Sequence, residues 1–249
     1  MTNAFHRHGI DHLSASSINS FAAEPAMWCM ERLLKKWSGT GSVASRGHAI
    51  EDGVTHGLMN PTADIEECQT LAVSSFDRRT ALSGDKNRER HREQVAPTVA
   101  LVLPELRQYG VPDLVQHKLD VMIPEVPVPF RCVTDFTWTT HGIVLDLKTS
   151  EKLPSQISAS YARQGCIYVY GTNQEMRFCF GTPNKMAVYR LDDLEQHVNA
   201  VQRIAKTMER FLSISTDPHE LAGLLAPDFD DFRWASPVTR ALGRDVFGF

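Results

Sequence analysis

The sequence predicts an α/β fold, because strand patterns and helix patterns alternate within its middle third. Apolar residues at every second position indicate a first strand over 115–123, and short apolar segments flank a turn at 139–142. A helical segment follows from about 154 to 170, and two further strands are predicted over 176–180 and 187–191. Strands that alternate with helices in this way are typical of a sheet that helices cover.

The region before the first strand is predicted to be helical. A helical pair runs from about Ser14 to Trp37, and Pro25 interrupts it because proline lacks the amide hydrogen that a helix interior needs. A further helix is predicted from about Val43 to Met59. Residues 62–109 are mostly helical in pattern, with a polar break at 83–85.

The last part of the chain is predicted to form one long helix and a tail. Asp192 stands where it can cap this helix, Glu195 would complete a capping box, and the apolar stripe continues to about Leu212. The tail after Ser213 contains prolines and glycines and is expected to be an irregular appendage. We expect a single domain over 1–249 in three parts: a helical region over about 14–110, the sheet with its helix over about 115–191, and the C-terminal helix and tail over 192–249.

Composition places bounds on where this chain works and on what it binds. The 249 residues have a mean hydropathy of −0.26 and no long apolar run, which argues against a membrane span. The first ten residues lack a continuous apolar signal segment, so a cytoplasmic location is expected. The formal net charge of −4 gives no overall attraction to nucleic acid. Any DNA contact must therefore come from a local basic surface, or from metal ions that neutralise carboxylates.

The five cysteines suit a reducing compartment, because their number is odd and their spacing is not that of a metal site. Cys132, Cys166 and Cys179 have apolar neighbours in the sequence. They are therefore expected to be packing thiols and not ligands.

Charged residues gather around the turn at 139–142. Asp146 and Lys148 are two apart on a predicted strand, so they point the same way, while Leu145 and Leu147 point into a core. A hairpin can bring Asp135 beside Asp146 on the same face. Two carboxylates and an ammonium at one edge of a sheet are costly unless something binds between them, and a divalent cation is the usual partner.

An Asp and a Lys two apart on a strand are more often a solvated face with a weak ion pair. Two neighbouring segments favour a site instead. On the helix after the strand, Tyr161, Gln164 and Tyr168 share one stripe at i, i+3 and i+7. In the helix over 43–59, Glu51 offers another carboxylate.

Four pieces of the sequence, taken together and in order, resemble the PD-(D/E)XK nuclease superfamily, specifically its RecB-like branch with the phage exonucleases. Leu13–Phe21 followed by Pro25 and Trp28 resembles the N-terminal helix signature, and Arg46-Gly47-x-x-x-Glu51 resembles the first metal-site motif. Asp135 with Asp146-x-Lys148-Thr149 resembles the superfamily signature, and Gln164-x-x-x-Tyr168 resembles the motif on the following helix. The resemblance covers about Leu13 to Tyr168.

The resemblance implies a mixed central sheet flanked by helices, as in restriction endonucleases, with the active site where the strands splay. It assigns Glu51, Asp135 and Asp146 as ligands of one or two Mg²⁺ or Mn²⁺ ions, with the carbonyl of Leu147 as a further ligand. It assigns catalytic roles to Lys148, Gln164 and Tyr168 beside Asp135 and Asp146, and leaves Tyr161 and Thr149 as additional members of the site.

Two departures from the family pattern matter. RecB-like members often carry a histidine ligand where this chain has Glu51, but other branches with an Arg-Gly-x-x-x-Glu pattern use the carboxylate. The resemblance therefore gives the ligand role to Glu51 and leaves His48 as a less favoured neighbour. Iron–sulfur members have an early cysteine and a late group of three, but this chain has Glu24 beside Pro25 and no cysteine after Cys179. No iron–sulfur cluster is therefore expected.

The resemblance implies a metal-dependent DNA exonuclease that processes DNA ends for recombination or repair, and a phage-encoded enzyme fits the compact size. Two alternatives stay open: a structure-specific or single-strand endonuclease, and a non-catalytic DNA-binding module on a nuclease fold. The expected partners are DNA and a recombinase or single-strand-binding protein, with no membrane partner, and a homo-oligomer stays open. Arg46, Arg88, Arg90 and Arg92 are candidate DNA contacts, although alternating charges over 86–93 are more typical of a solvated helix face.

Overall fold

Five strands form one mixed sheet in the computed structural model, which describes residues 3–37 and 42–248. β3 and β4 are parallel neighbours, whereas the other neighbouring strands are antiparallel. The strands lie in chain order across the sheet: β1 (Leu114–Val121), β2 (Phe130–Trp138), β3 (Ile143–Thr149), β4 (Glu175–Gly181) and β5 (Met186–Arg190).

Helices lie before, within and after the sheet, so the predicted α/β class with a helical N-terminal region is confirmed. A π-helix at Cys29–Leu33 and 3₁₀ turns at Thr139–His141 and Phe232–Trp234 complete the secondary structure of the described residues. The α-helices are α1 (Ala4–Arg7), α2 (Ala15–Ala23), α3 (Pro25–Trp28), α4 (Ser42–Met59), α5 (Ile65–Arg79), α6 (Arg88–Glu93), α7 (Val95–Arg107), α8 (Ala159–Thr172), α9 (Leu194–Ser213), α10 (Pro218–Ala222) and α11 (Pro237–Phe247).

The two faces of the sheet pack against different helices. Side chains alternate along β3, so Val144 packs into a core with α8 and α9, while Leu145 and Leu147 pack into a second core with α4, α5 and α7. The predicted inward direction of Leu145 and Leu147 is therefore confirmed. α8 also connects β3 to β4, because two parallel strands need a crossover between them.

Close packing fixes α4 within the second core. A Cβ atom at Gly53 would lie 2.7 Å from the backbone oxygen of Cys68 and 2.8 Å from Cβ of Ala72, both on α5. One turn later, a Cβ at Gly57 would lie 2.4 Å from Leu103 of α7. Only glycine allows these helices to approach so closely, and α4 is the helix that carries Glu51.

Several boundaries differ from the prediction. The N-cap of α9 is Asp193, which is left-handed and makes no side-chain capping bond, so the predicted capping box from Asp192 to Glu195 is wrong. α8 begins at Ala159 after its N-cap Ser158, later than predicted, because Ser158 accepts the first backbone bond from Tyr161. β1 ends at Val121.

The tail is more regular than predicted. It contains α10, a 3₁₀ turn and α11, and the fully buried Trp234 anchors it to a third apolar cluster with Ala26 and Met30. Of its last residues, Phe249 lies outside the described part of the chain. Within that part, no helix is both long enough and apolar enough to cross a membrane.

Candidate active site

The β2–β3 hairpin brings two of the predicted carboxylates together. Its ladder pairs Phe136 with Leu145 and then stops, so Asp135 and Asp146 stand opposite each other at the next position, where the strands separate. Gly142 supplies the left-handed backbone, at φ 67°, that closes the turn. Both the turn and the pairing of the carboxylates agree with the prediction.

Asp146 is the most buried acid of this group, at 1% exposure. Its Oδ1 accepts a hydrogen bond of 2.9 Å from Gln164 Nε2, and its Oδ2 lies 2.6 Å from Lys148 Nζ. Oδ2 is an ion-pair partner but accepts no well-directed hydrogen bond from a described residue. Burial raises the pKa of Asp146, against the attraction of Lys148. The Lys148 ammonium is also penalised by burial, but the carboxylates outweigh this and raise its pKa.

Asp135 faces the same space from β2. Its Oδ2 accepts a hydrogen bond of 2.8 Å from the backbone amide of Leu147, so the two strands remain linked beyond the end of their ladder. Burial, followed by repulsion from Asp146 and Glu51, raises the pKa of Asp135 well above its ordinary value. The ligand role of the Leu147 carbonyl stays a prediction.

Glu51 reaches this space from α4. One turn earlier, Gly47 lies against β3: a Cβ atom there would be 3.4 Å from Thr149 Oγ1, so the helix can approach the strand closely. Burial, repulsion from Asp146 and repulsion from Asp52 raise the pKa of Glu51 to about 7. The charge of Asp146 thus disfavours the charged forms of both Glu51 and Asp135.

Gln116, which no sequence motif indicates, lies among these acids. Its Nε2 donates to Glu51 Oε1 and, at 3.2 Å, to Asp135 Oδ1, so one amide bridges two predicted ligands. The register of β1 with β2 places Gln116 opposite Asp135. A polar residue on a strand is ordinary, and only the pairing of β1 with β2 could have indicated its role.

α8 supports the hairpin from the side of the first core. Gln164 Nε2 donates to Asp146 and also, at 2.6 Å, to the hydroxyl of Tyr168. That hydroxyl donates in turn to the carbonyl of Val133 on β2, at 2.7 Å. The ring of Tyr161 lies 5.2 Å from Lys148 Nζ, within the range of a cation–π contact. The stripe of Tyr161, Gln164 and Tyr168 therefore faces the hairpin.

A cavity of about 460 Å³ opens beside Lys148, Tyr161, Gln164 and Tyr168. Its opposite wall comes from the start of α2, where Ser14 caps the helix by accepting a bond from the Ser17 amide. The cavity gives the ammonium of Lys148 a route to the outside.

The candidate DNA-contacting arginines are engaged within the chain. Arg46 is 3% exposed and donates to Gln94, and Arg88 and Arg92 both pair with Asp77. Arg88 and Arg92 lie on α6, and their ion pairs with Asp77 match a solvated helix face better than they match free phosphate contacts.

Two further candidates lie at the outside of the site. Arg90 is largely exposed and pairs with Glu151, which follows β3, at 2.8 Å. His48 is 61% exposed, and its Nδ1 lies 3.8 Å from Glu51 Oε2. His48 thus stands at the rim of the acidic group.

The donor atoms suit a hard divalent cation, since all three predicted ligands are carboxylates and Asp146 Oδ2 is a buried acceptor without a directed hydrogen bond. In the described part of the chain, however, no three His, Cys, Asp or Glu side chains are already arranged to hold a metal ion. Gln116 lies between Glu51 and Asp135 instead. The chemistry fits a cation, and the side chains would have to rearrange to bind one.

The cysteines lie apart from this site. All five are buried and free of disulfides, and Cys132, Cys166 and Cys179 belong to the apolar cores as predicted.

No protein-family model and no protein of curated function matches this chain. Matches among solved structures include the crystal structure of SSO0001, at 11% sequence identity over 73% of this chain and 84% of that chain. The TM-score of this match is 0.33.

Proposed function

We propose that this chain is a metal-dependent deoxyribonuclease of the PD-(D/E)XK type that degrades DNA from its ends. The observation that supports this most is the meeting of Glu51, Asp135 and Asp146 from three separate elements beside Lys148. A purely structural role does not explain why three partly or fully buried acids share one space with a single ammonium, because each burial is costly.

Glu51, Asp135 and Asp146 would hold Mg²⁺ or Mn²⁺, which activates water and neutralises charge on a phosphodiester. Lys148 lies at the cavity with its ammonium charged, so it can stabilise the negative charge that develops on the phosphate. Gln164 orients Asp146 through its hydrogen bond, and Tyr168 fixes Gln164 against β2.

The substrate assignment rests on the family resemblance alone. We propose end processing for recombination or repair in the cytoplasm, by an enzyme that fits a phage-encoded origin. A recombinase or single-strand-binding protein would use the strand that remains. An endonuclease with the same site, or a binding module without activity, remains the alternative.

Digestion of linear DNA labelled at the 5′ or 3′ end, beside covalently closed circular DNA, tests the proposal. With Mg²⁺ or Mn²⁺, we expect labelled linear DNA to be shortened from its ends, circular DNA to stay intact, and EDTA to stop the reaction. Cleavage of circles would instead establish the endonuclease. DNA binding without cleavage under every metal condition would establish the binding module and refute the nuclease.

A further inference from the structure

We infer that Gln116 is a positioning residue of the proposed metal site, whose carboxamide holds Glu51 and Asp135 together only while no cation is bound. This inference rests on the proposed function, since it concerns the same carboxylates. It adds a residue that the motifs do not contain and states what that residue does to metal affinity.

The geometry places one donor between two acids. Gln116 Nε2 contacts Glu51 Oε1 on α4 and Asp135 Oδ1 on β2, so the amide group joins the helix to the sheet. Both of its hydrogens are then used, one for each carboxylate. The two hydrogens of the amide NH₂ group carry partial positive charge, and they therefore take the place that a cation would take between these oxygens.

The backbone at Gln116 is unusual for a strand. Its φ is 49°, in the left-handed region, although the flanking residues Val115 and His117 stay in register with Phe136 and Thr134. Such a conformation is unfavourable for a residue with a side chain, and it persists only where surrounding contacts maintain it. The bridge to Glu51 and Asp135 supplies contacts of that kind.

The consequence for binding follows from linkage. A cation that coordinates Glu51 and Asp135 repels the NH₂ group, so the two amide hydrogen bonds must break when the ion arrives. An interaction that exists only in the free state lowers the affinity for the ligand that removes it. Removing the amide should therefore tighten metal binding and weaken the metal-free protein. A ligand residue would show the reverse effect on affinity.

Two substitutions test this against a matched control. Gln116→Leu removes the amide with little change of shape, and Gln116→Gly removes it while also relieving the left-handed backbone. Gln116 is exposed, so neither change disturbs a core. Gln108→Leu is the control, because Gln108 is another exposed glutamine that donates to a carboxylate, Glu105, at 3.2 Å but lies at the end of α7.

Calorimetric titration of the full chain with Mn²⁺ gives the deciding measurement. We expect the Kd of both Gln116 variants to be about three- to tenfold lower than that of the unsubstituted protein, as for the loss of one net hydrogen bond. In EDTA, the Tm of Gln116→Leu should fall by about 2–4 °C, and Mn²⁺ should then raise it by more than it raises that of the unsubstituted protein. Gln108→Leu should leave the Kd unchanged.

A higher or an unchanged Kd for Mn²⁺ in either Gln116 variant overturns the inference. A higher Kd would mean that the amide is a metal ligand, and an unchanged Kd would mean that it has no influence on metal binding. In both cases the unsubstituted protein still binds Mn²⁺, and the proposed nuclease site stands. If the unsubstituted protein shows neither Mn²⁺ binding nor a thermal shift, the metal site itself fails, and the role of Gln116 fails with it.

Discussion

Asp146 and Lys148 contact each other on β3, yet the proposed chemistry gives them separate tasks. Asp146→Ala should abolish both cleavage and Mn²⁺-induced stabilisation, because it removes a ligand. Lys148→Ala should lower the cleavage rate about 10²-fold or more, as for a lost charge contact in the transition state. It should still bind Mn²⁺, slightly more tightly, since a nearby positive charge has gone. Cleavage rates and calorimetric Mn²⁺ titrations of both variants measure these effects.

Asp120 and Arg131 provide the control for this experiment. They form an ion pair of 2.9 Å between β1 and β2 and are both about half exposed. An exposed pair contributes little, so Asp120→Ala should leave cleavage and Mn²⁺ binding nearly unchanged. Near-normal cleavage by Lys148→Ala would mean that Asp146 and Lys148, like Asp120 and Arg131, form an ion pair that contributes little, and it would contradict the mechanism.

Glu51 should make the metal-free protein less stable as the pH rises. Its pKa is raised from 4.5 to about 7 in the folded state, so between these values the folded protein holds a proton that the unfolded chain has lost. The stabilisation of the folded state by this bound proton is complete below pH 4.5 and is lost as the pH rises through about 7. The loss should be about 1–3 kcal/mol, and Asp135 and Asp146 add in the same direction because their pKa values are also raised.

Urea unfolding in EDTA at several pH values between 5 and 8 measures this dependence. Glu51→Gln keeps the shape of the side chain but does not titrate, so the free energy of unfolding of this variant should vary less over the same range. Curves of equal slope for the two proteins would show that Glu51 is not the group responsible.

At the scale of elements, the sequence predicts what depends on local patterns. Alternating apolar residues indicate β1, a short apolar segment indicates β3, and the His141-Gly142 turn closes the hairpin that pairs Asp135 with Asp146. The ends of helices are less predictable. Ser158 and Asp193 are the N-caps of α8 and α9 because of their local backbone geometry, and the spacing of apolar residues does not indicate that geometry. Local patterns predict the pairing of Asp135 with Asp146, whereas only the resemblance to the nuclease superfamily links Glu51 to these two acids.

Gln116 could not be predicted, because its role depends on contacts with residues 65 and 19 positions away. The same limit applies to Arg46, whose burial against Gln94 follows from the packing of α4 on the helices after it. Long-range pairing decides such contacts, and a single sequence carries no direct record of it.

The packing of α4 on α5 should control the position of Glu51. Gly53→Ala would place a Cβ atom 2.7 Å from a backbone oxygen of α5, which cannot give way as a side chain can. We expect a loss of about 1–3 kcal/mol in the free energy of unfolding and weaker Mn²⁺ binding, because α4 must shift. Gly84→Ala is the control, since nothing lies within 4 Å of its Cβ and its backbone is not left-handed. Equal stability of the two variants would contradict this close packing.

At the scale of the whole molecule, the candidate site lies in the region where the two large cores meet at the sheet, whereas the tail packs in the third apolar cluster. Trp234 packs against Phe229 at 5.0 Å between ring centroids and against Phe247 at 6.5 Å, within the third cluster beside Ala26 and Met30. That cluster contains none of the proposed ligands. Stability and metal binding should therefore be separable by substitutions in the tail.

Trp234→Ala should lower the free energy of unfolding by about 3–5 kcal/mol, because it empties a fully buried site. Phe232→Ala removes an aromatic ring from the same 3₁₀ turn, but Phe232 is 75% exposed, so the cost should stay below about 1 kcal/mol. In both variants, Mn²⁺ should raise the Tm by the same amount as in the unsubstituted protein, because effects at distant sites without shared partners add. Thermal melts with Mn²⁺ and with EDTA measure both quantities. A Trp234→Ala protein that folds but no longer responds to Mn²⁺ would show that the tail supports the site, and would contradict the separation of the third cluster from the carboxylates.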